Sequence, residues 1–366
     1  MFPPTSDILL PSPPESLTLI KVNIVEQINY IKHRDAGAIE PNPFEILGEE
    51  LFSALSLYWS TAFRILRGSG INLLDPIPEY FSLQNNFFSV LFLYTYHKAN
   101  IPKQNRILYG AVNQCLRGMV TGCDNILDNE YKKTLETDLP LGGTRFRSIL
   151  DIMVSDRVLF EILSNHCQTN GVTSEQVLAA SAASLRALTR SGAQEATEEG
   201  GVVKRLRPEE VLRDVHHYKT GVLFQSPWAV PVIIEEVDER SVSSLKEALY
   251  RIGMGCQIMD DMVDVPKDFQ QGRHNFVISL IYHDQDPEEW TRLETRLTSG
   301  LGQEENGDLL FDFSRARLTA AKAALNFLES GTKALFGERH QYLVEPTISF
   351  LSKRIGADRF ISDLGR

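Results

Sequence analysis

Residues 242–265 read VSSLKEALYRIGMGCQIMDDMVDV, and Pro266 follows. No proline interrupts the stretch, and its apolar residues recur at steps of three and four, so it predicts one long amphipathic helix that Pro266 limits. Asp260 and Asp264 lie four apart near its end and share a face, with Asp261 beside them. Met259, Met262 and Val263 stand between these acids, so the face is not a plain solvated stripe. Like charges at this spacing cost a helix a few tenths of a kcal/mol, roughly, and something positive should offset them.

The texture around this stretch is the same. In 105–133, Ile107, Leu108, Val112, Leu116, Val120 and Leu127 keep helical spacing. Residues 173–190 open on Thr-Ser-Glu-Gln, a capping start, and run on through alanines. Residues 310–335 also read as a long helix. No run of short strands with hairpin turns occurs. Seven of the 17 prolines fall in residues 1–43, which predicts an irregular Pro-rich arm over 1–45, with a short helix at 17–33. Loops are expected at 134–143, 195–208, 264–272 and 298–307. The sequence therefore predicts an all-α protein, with a single domain over 46–366.

Composition excludes several classes. The 366 residues are 43% hydrophobic and 23% charged, ordinary for a globular chain. A net charge of −11 argues against sequence-independent nucleic-acid binding, which needs a basic footprint. The four cysteines show no CxxC spacing and read as reduced thiols. The N-terminus lacks a secretory pattern, and the longest uncharged runs, 81–97 and 221–234, are short for a membrane span. A soluble, cytoplasmic protein is expected. No Gly-rich loop opens a helix after a strand, and adjacent His216 and His217 do not make a metal pair.

A second acid cluster stands upstream: Gly122-Cys123-Asp124-Asn125-Ile126-Leu127-Asp128. Asp124 and Asp128 repeat the four-residue spacing. Hard divalent cations prefer oxygen ligands, and Mg²⁺ commonly takes one or two carboxylates plus phosphate oxygens and water. Two such helices suit a diphosphate held through Mg²⁺, with Asp124, Asp128, Asp260, Asp261 and Asp264 as metal ligands. Gln257, one turn before Asp260, is placed to bond a diphosphate oxygen or orient a carboxylate.

In this order and spacing the motifs resemble those of the trans-isoprenyl diphosphate synthases, chiefly over residues 105–280. Asp124-Asn125-Ile126-Leu127-Asp128 is similar to the family's first DDxxD motif. Lys132-Lys133 stands where an arginine pair usually follows. Gly192-Ala193-Gln194-Glu195-Ala196 is similar to GQxxD without its Asp, Tyr218-Lys219-Thr220-Gly221 carries the KTG element, and Cys256-Gln257 through Asp264 is similar to FQxxDDxxD. The resemblance implies an isoprenoid-synthase helical bundle around a central cavity, Mg²⁺-dependent ionisation of a prenyl diphosphate with three ions, a catalytic Lys219, and a homodimer. Asn125, Lys132 and Lys133 then join the substrate site. Arg273 in Gly272-Arg273-His274 replaces the family's usual GK, as a further candidate for the departing diphosphate.

One departure carries weight. Elongating members have a GGKRxRP segment about 36 residues before the first motif, whose cations hold isopentenyl diphosphate. Here residues 83–92 read LQNNFFSVLF, without a cation. Gly142-Gly143-Thr144-Arg145-Phe146-Arg147 looks like that segment but lies downstream, so Arg145 and Arg147 read as surface charges at a helix start. The expectation is therefore a terpene cyclase derived from the family, acting on a C15 or C20 prenyl diphosphate. Phe87, Phe88, Phe92, Phe224 and Trp228 are candidates to line its cavity, since aromatic faces stabilise cations. The alternatives are a chain-elongating prenyltransferase, with Arg64, Arg67 or Arg106 as replacement cations, a non-catalytic partner subunit, and a head-to-head coupling enzyme of the squalene or phytoene type. The acidic run 195–199 reads as a solvated loop.

Overall fold

The computed structural model describes residues 43–170, 172–284, 286–298 and 305–362. The Pro-rich arm and its helix at 17–33 lie outside the described residues, apart from 43–45, which open the first helix. All regular structure among the described residues is helical, as the periodicity predicts. An isolated bridge between Leu73 and Thr137 adds one antiparallel contact. The chain divides after Asn170 into two compact units.

The first unit packs α1 (Pro43–Leu66), α2 (Phe87–Lys98), α3 (Lys103–Leu127) and α4 (Thr144–Asn170). The predicted 105–133 helix is α3, which ends six residues sooner. It buries Leu108, Tyr109, Val112, Cys115, Leu116 and Met119 against α1 and α4. At Gly122 a Cβ would sit 2.7 Å from the Ser148 carbonyl oxygen, so only glycine allows α4 this close. Glu50 on α1 is fully buried and is satisfied by Arg106 on α3.

The second unit is built on α8 (Glu239–Val263), the helix of the opening stretch, which lies along α12 (Ser314–Phe336). A Cβ on Gly255 would come within 2.6 Å of Leu328 Cγ and 2.9 Å of the Ala324 oxygen. The predicted capping start is formed: Gln176 N donates to Thr173 Oγ1, Thr173 N donates to Gln176 Oε1, and α5 runs Ser174–Ala196. A single α turn, α6 (Pro208–Glu210), opens into a π-helix over Val211–Gly221. This wider winding, rare and frequent at functional sites, has no signature in the sequence. A 3₁₀ stretch, Leu223–Trp228, and α7 (Pro231–Ile234) lead into α8.

The expected loop at 264–272 is instead a helix, α9 (Val265–Gln271). Proline lacks only an N–H that the first helical turn leaves unbonded anyway. Pro266 can therefore end α8 and sit in the first turn of α9. Gly272, at φ +66°, closes α9. Asn275 then caps α10 (Phe276–Tyr282), its Oδ1 accepting from Val277 N and Ile278 N. α11 (Pro287–Thr298), α13 (Val344–Ile355) and α14 (Asp358–Ile361) complete the unit.

Candidate active site

Both acid clusters occupy helix C-termini. Asp124 lies in the last turn of α3 and Asp128 is its C-terminal cap; Asp260 lies in the last turn of α8 and Asp264 caps it. The cap amides of Asp128 and Asp264 donate to the carbonyls of Asp124 and Asp260, at 2.8 and 2.9 Å. Carboxylates are least welcome at this end of a helix, where the macrodipole is already negative. Each cluster therefore concentrates negative potential that a cation relieves. Asp260 is exposed, and Asp124, Asp128 and Asp264 are half-buried, so all four remain reachable.

Asp261 differs from its neighbours. It is 2% exposed and turned into the second unit. Its Oδ2 accepts from Phe276 N at 2.5 Å and lies 2.9 Å from His216 Nε2, and its Oδ1 accepts from Gln257 Nε2 at 3.0 Å. Phe276 N opens α10 and His216 rides on the π-helix, so Asp261 joins three elements. Gln257 acts as the orienting residue the sequence allows: its Nε2 also reaches Asp260 Oδ2 at 3.4 Å, while its Oε1 accepts from the Thr220 hydroxyl at 2.5 Å.

Lys219, from the same π-helix, pairs with Glu195 at 3.0 Å, and Arg273 Nη1 lies 3.9 Å from the other Glu195 oxygen. Burial works to lower the Lys219 ammonium, but Glu195, with Asp268 and Asp261 behind it, outweighs burial and holds it above the ordinary lysine value. Here the expectation of a solvated 195–199 loop is corrected. Glu195 bridges two cations, and Glu198 is buried, accepting from His274 N at 2.9 Å. The partners lie well beyond a helical turn along the chain, His274 76 residues from Glu198, which local charge patterning does not encode.

Asp268 is a further acid missed in the sequence. Its Oδ2 accepts from Asn275 Nδ2 at 2.8 Å. Burial and the nearby Asp261 carboxylate push it up to about 8, against Asn275 and Lys219. A signal existed: 260, 264 and 268 continue one four-residue spacing, hidden by the expectation that Pro266 begins a loop.

Asn125 is buried and its amide is committed to the backbone of Lys132, donating from Nδ2 to the carbonyl (2.9 Å) and accepting its N–H at Oδ1 (2.7 Å). It thus positions the loop that carries Lys132 and Lys133, which are exposed and pair with Glu130 and Glu136. Arg147 is no surface charge: it is 4% exposed and donates to the Leu139 and Pro140 carbonyls. Arg145 does lie at the surface. Phe87, Phe88 and Phe92 are half-buried on α2, Phe224 packs over Gly253 of α8, and Trp228 is fully buried.

Among the described residues, no three His, Cys, Asp or Glu side chains form a ready cage for a metal. Mg²⁺ needs none, since it keeps waters and takes phosphate oxygens beside one or two carboxylates. The paired, reachable oxygens at each helix end fit that ion.

Residues 143–300 match the model of the polyprenyl synthetase family. The matched stretch contains Glu195, Lys219, Gln257, Asp260, Asp264, Asp268 and Arg273; Asp124 and Asp128 precede it. No curated protein sequence matches the chain significantly.

Solved structures share the fold. A polyprenyl synthase from Caulobacter crescentus CB15, complexed with calcium and isoprenyl diphosphate, aligns with TM-score 0.59 at 13% identity, covering 88% of this chain and 98% of its own. A decaprenyl diphosphate synthase from Rhodobacter capsulatus gives 0.58 at 15% identity, covering 86% and 98%. A geranylgeranyl pyrophosphate synthetase from the archaeon Geoglobus acetivorans gives 0.52 at 17%, covering 95% and 99%.

Proposed function

We propose that the chain is a chain-elongating trans-prenyltransferase. It would join the allylic carbon of a prenyl diphosphate to the double bond of isopentenyl diphosphate, forming one C–C bond and releasing diphosphate and a proton. The family match over 143–300 and the fold shared with solved synthases support prenyl diphosphates as substrates.

The observation that carries the elongating form lies in the first unit. Arg117 Nη1, from α3, donates to Asn86 Oδ1 at 2.8 Å, within the cation-free 83–92 segment. The two line a pocket of about 290 Å³ with Tyr80, Gln114, Lys133, Thr134 and the acids Glu79 and Glu136. Tyr80 Oη, Gln114 Oε1 and Thr134 Oγ1 are buried there without a well-formed hydrogen bond. Lys133 pairs with Glu136, so Arg117 would be the cation that meets a phosphorylated ligand there, for which charge-assisted bonds are the strong ones. In this reading Arg117, from another helix, would stand in for the cation missing from 83–92. None of the three replacements expected from sequence fills this place. Arg106 is committed to buried Glu50, Arg64 pairs with Glu161, and Arg67 is exposed away from the pocket's lining.

Asp124, Asp128, Asp260 and Asp264 are the Mg²⁺-binding carboxylates of this reading, with three ions expected. When bound, Mg²⁺ supplies Lewis-acid stabilisation of charge on the departing diphosphate. Lys219 and Arg273, held together by Glu195, add fixed positive charge for the same group. Asp261 positions α8, α10 and the π-helix instead of meeting substrate.

A terpene cyclase remains the second reading, favoured by Phe87 and Phe88 standing where the family's basic residues would be. Incubation of the protein with Mg²⁺ and C10, C15 or C20 diphosphates separates the two. A longer diphosphate, formed only when isopentenyl diphosphate is added, is the expected product. A hexane-soluble hydrocarbon formed without it would replace the elongating reading. A homodimer is also proposed, through the α4 face of Phe146, Ile149, Met153 and Phe160, all exposed at helical spacing.

A further inference from the structure

The loop over 129–143, which carries Lys132, Lys133 and Thr134, is tied down at three places. Asn125 brackets the Lys132 backbone. Leu74 N donates to the Glu136 carbonyl at 2.9 Å and Asp138 N to that of Asn72 at 3.1 Å. Arg147 donates to the carbonyls of Leu139 and Pro140.

Beneath this loop, one helical turn beyond Arg147, lies Asp151. It is 2% exposed, and its Oδ2 is buried with no hydrogen-bond partner. The Thr134 hydroxyl and the Tyr131 phenol face it from the loop, each with a buried oxygen that also lacks a well-formed bond. Tyr58 faces it from α1, its own phenol bonded to Ser155 Oγ at 2.9 Å. Arg147 faces it from α4, but the guanidinium donates to the two loop carbonyls. An ionised Asp151 under the closed loop would therefore be a buried anion without adequate donors, a costly state. A neutral Asp151 fits the same space.

We infer that Asp151 is a proton-operated latch: neutral, it lets the 129–143 loop close over it; ionised, it admits water and releases the loop. Burial pushes the Asp151 carboxyl up to about 7, against the Thr134 hydroxyl and Arg147, so the change falls near neutral pH. Release would move Lys133 and Thr134 from the pocket that Arg117 lines. That functional consequence rests on the acceptor-site reading above; the latch itself does not. Asp151 is thus a positioning residue acting through Thr134 and Arg147.

Backbone hydrogen exchange, corrected for intrinsic rates, tests this at pH 6 and pH 8. Protection of the Lys132, Asp138 and Gly143 amides should fall about tenfold in the wild type over that range and stay level in Asp151→Asn. An equal fall in both proteins, or no fall in either, overturns the latch. If Asp151→Asn does not fold, ¹³C titration of the wild-type Asp151 carboxyl decides. A midpoint near 7 supports the latch, and one near the ordinary carboxyl value of about 4 overturns it. Where turnover is measurable, the KM for isopentenyl diphosphate should rise from pH 6 to 8 in the wild type only. Absence of any turnover alongside the exchange change would sink the functional reading and leave the latch standing.

Discussion

Glu195 holds two cations at once, Lys219 at 3.0 Å and Arg273 at 3.9 Å. In sequence it belongs to an acidic run that looks solvated; in the fold it sets the spacing of the positive charge proposed to meet a diphosphate. Glu195→Gln should therefore lower kcat by about tenfold or more, through loss of charge-assisted bonds that hold both cations. Steady-state kinetics would show this, whereas Glu199→Gln, at an exposed position, should leave kcat unchanged. Asp151 gives a stability prediction of definite sign. Its folded value, about 7, lies above the ordinary 3.8, so the folded state retains a proton that the unfolded chain has lost. Stability from this group is full below about pH 4 and is lost as pH rises through 7. Asp151→Asn removes the penalty and should be more stable than wild type at pH 8, by about 1–3 kcal/mol, with little difference at pH 4. Urea denaturation at the two pH values measures it, and a variant less stable at pH 8 would contradict the assignment.

At the scale of elements, α8 owes its position to close approach. Gly255 brings it against the Ala324 carbonyl and Leu328 of α12, where a methyl group would clash. Gly255→Ala should cost about 1–3 kcal/mol, as overpacking does, visible as a lower denaturation midpoint. Thr173→Ala removes one half of the α5 capping box and should cost about 1 kcal/mol by the same measurement. The helices themselves were legible in the sequence, because α3, α5, α8 and α12 carry long proline-free amphipathic repeats. The π-helix over Val211–Gly221 was not. No residue pattern distinguishes its i+5 bonds, such as Val222 N to the His217 carbonyl at 2.8 Å, from ordinary helical ones. The helix α9 was misread because a proline marks a helix start as well as a helix end.

At the scale of the whole molecule, the proposed homodimer would bury the exposed α4 face. Met153, 61% exposed at its centre, should lie in the contact. Met153→Asp should shift the protein from dimer to monomer in light scattering, and an unchanged mass would remove this face as the interface. Asp260→Ala should abolish turnover with folding intact, since the Asp260 side chain is exposed. Periodicity and spacing alone determined that the chain is helical and that Asp124 and Asp128, like Asp260 and Asp264, share a helix face, because these are properties of near neighbours along the chain. Tertiary structure decided what each polar group does. It turned Asp261 inward onto His216 and the Phe276 amide, buried Arg147 and Asp151 under a loop, and set Arg117 against Asn86, 31 residues away. A side chain's charge is written in the sequence, but its partner and its access to water depend on helices that meet only when the chain has folded.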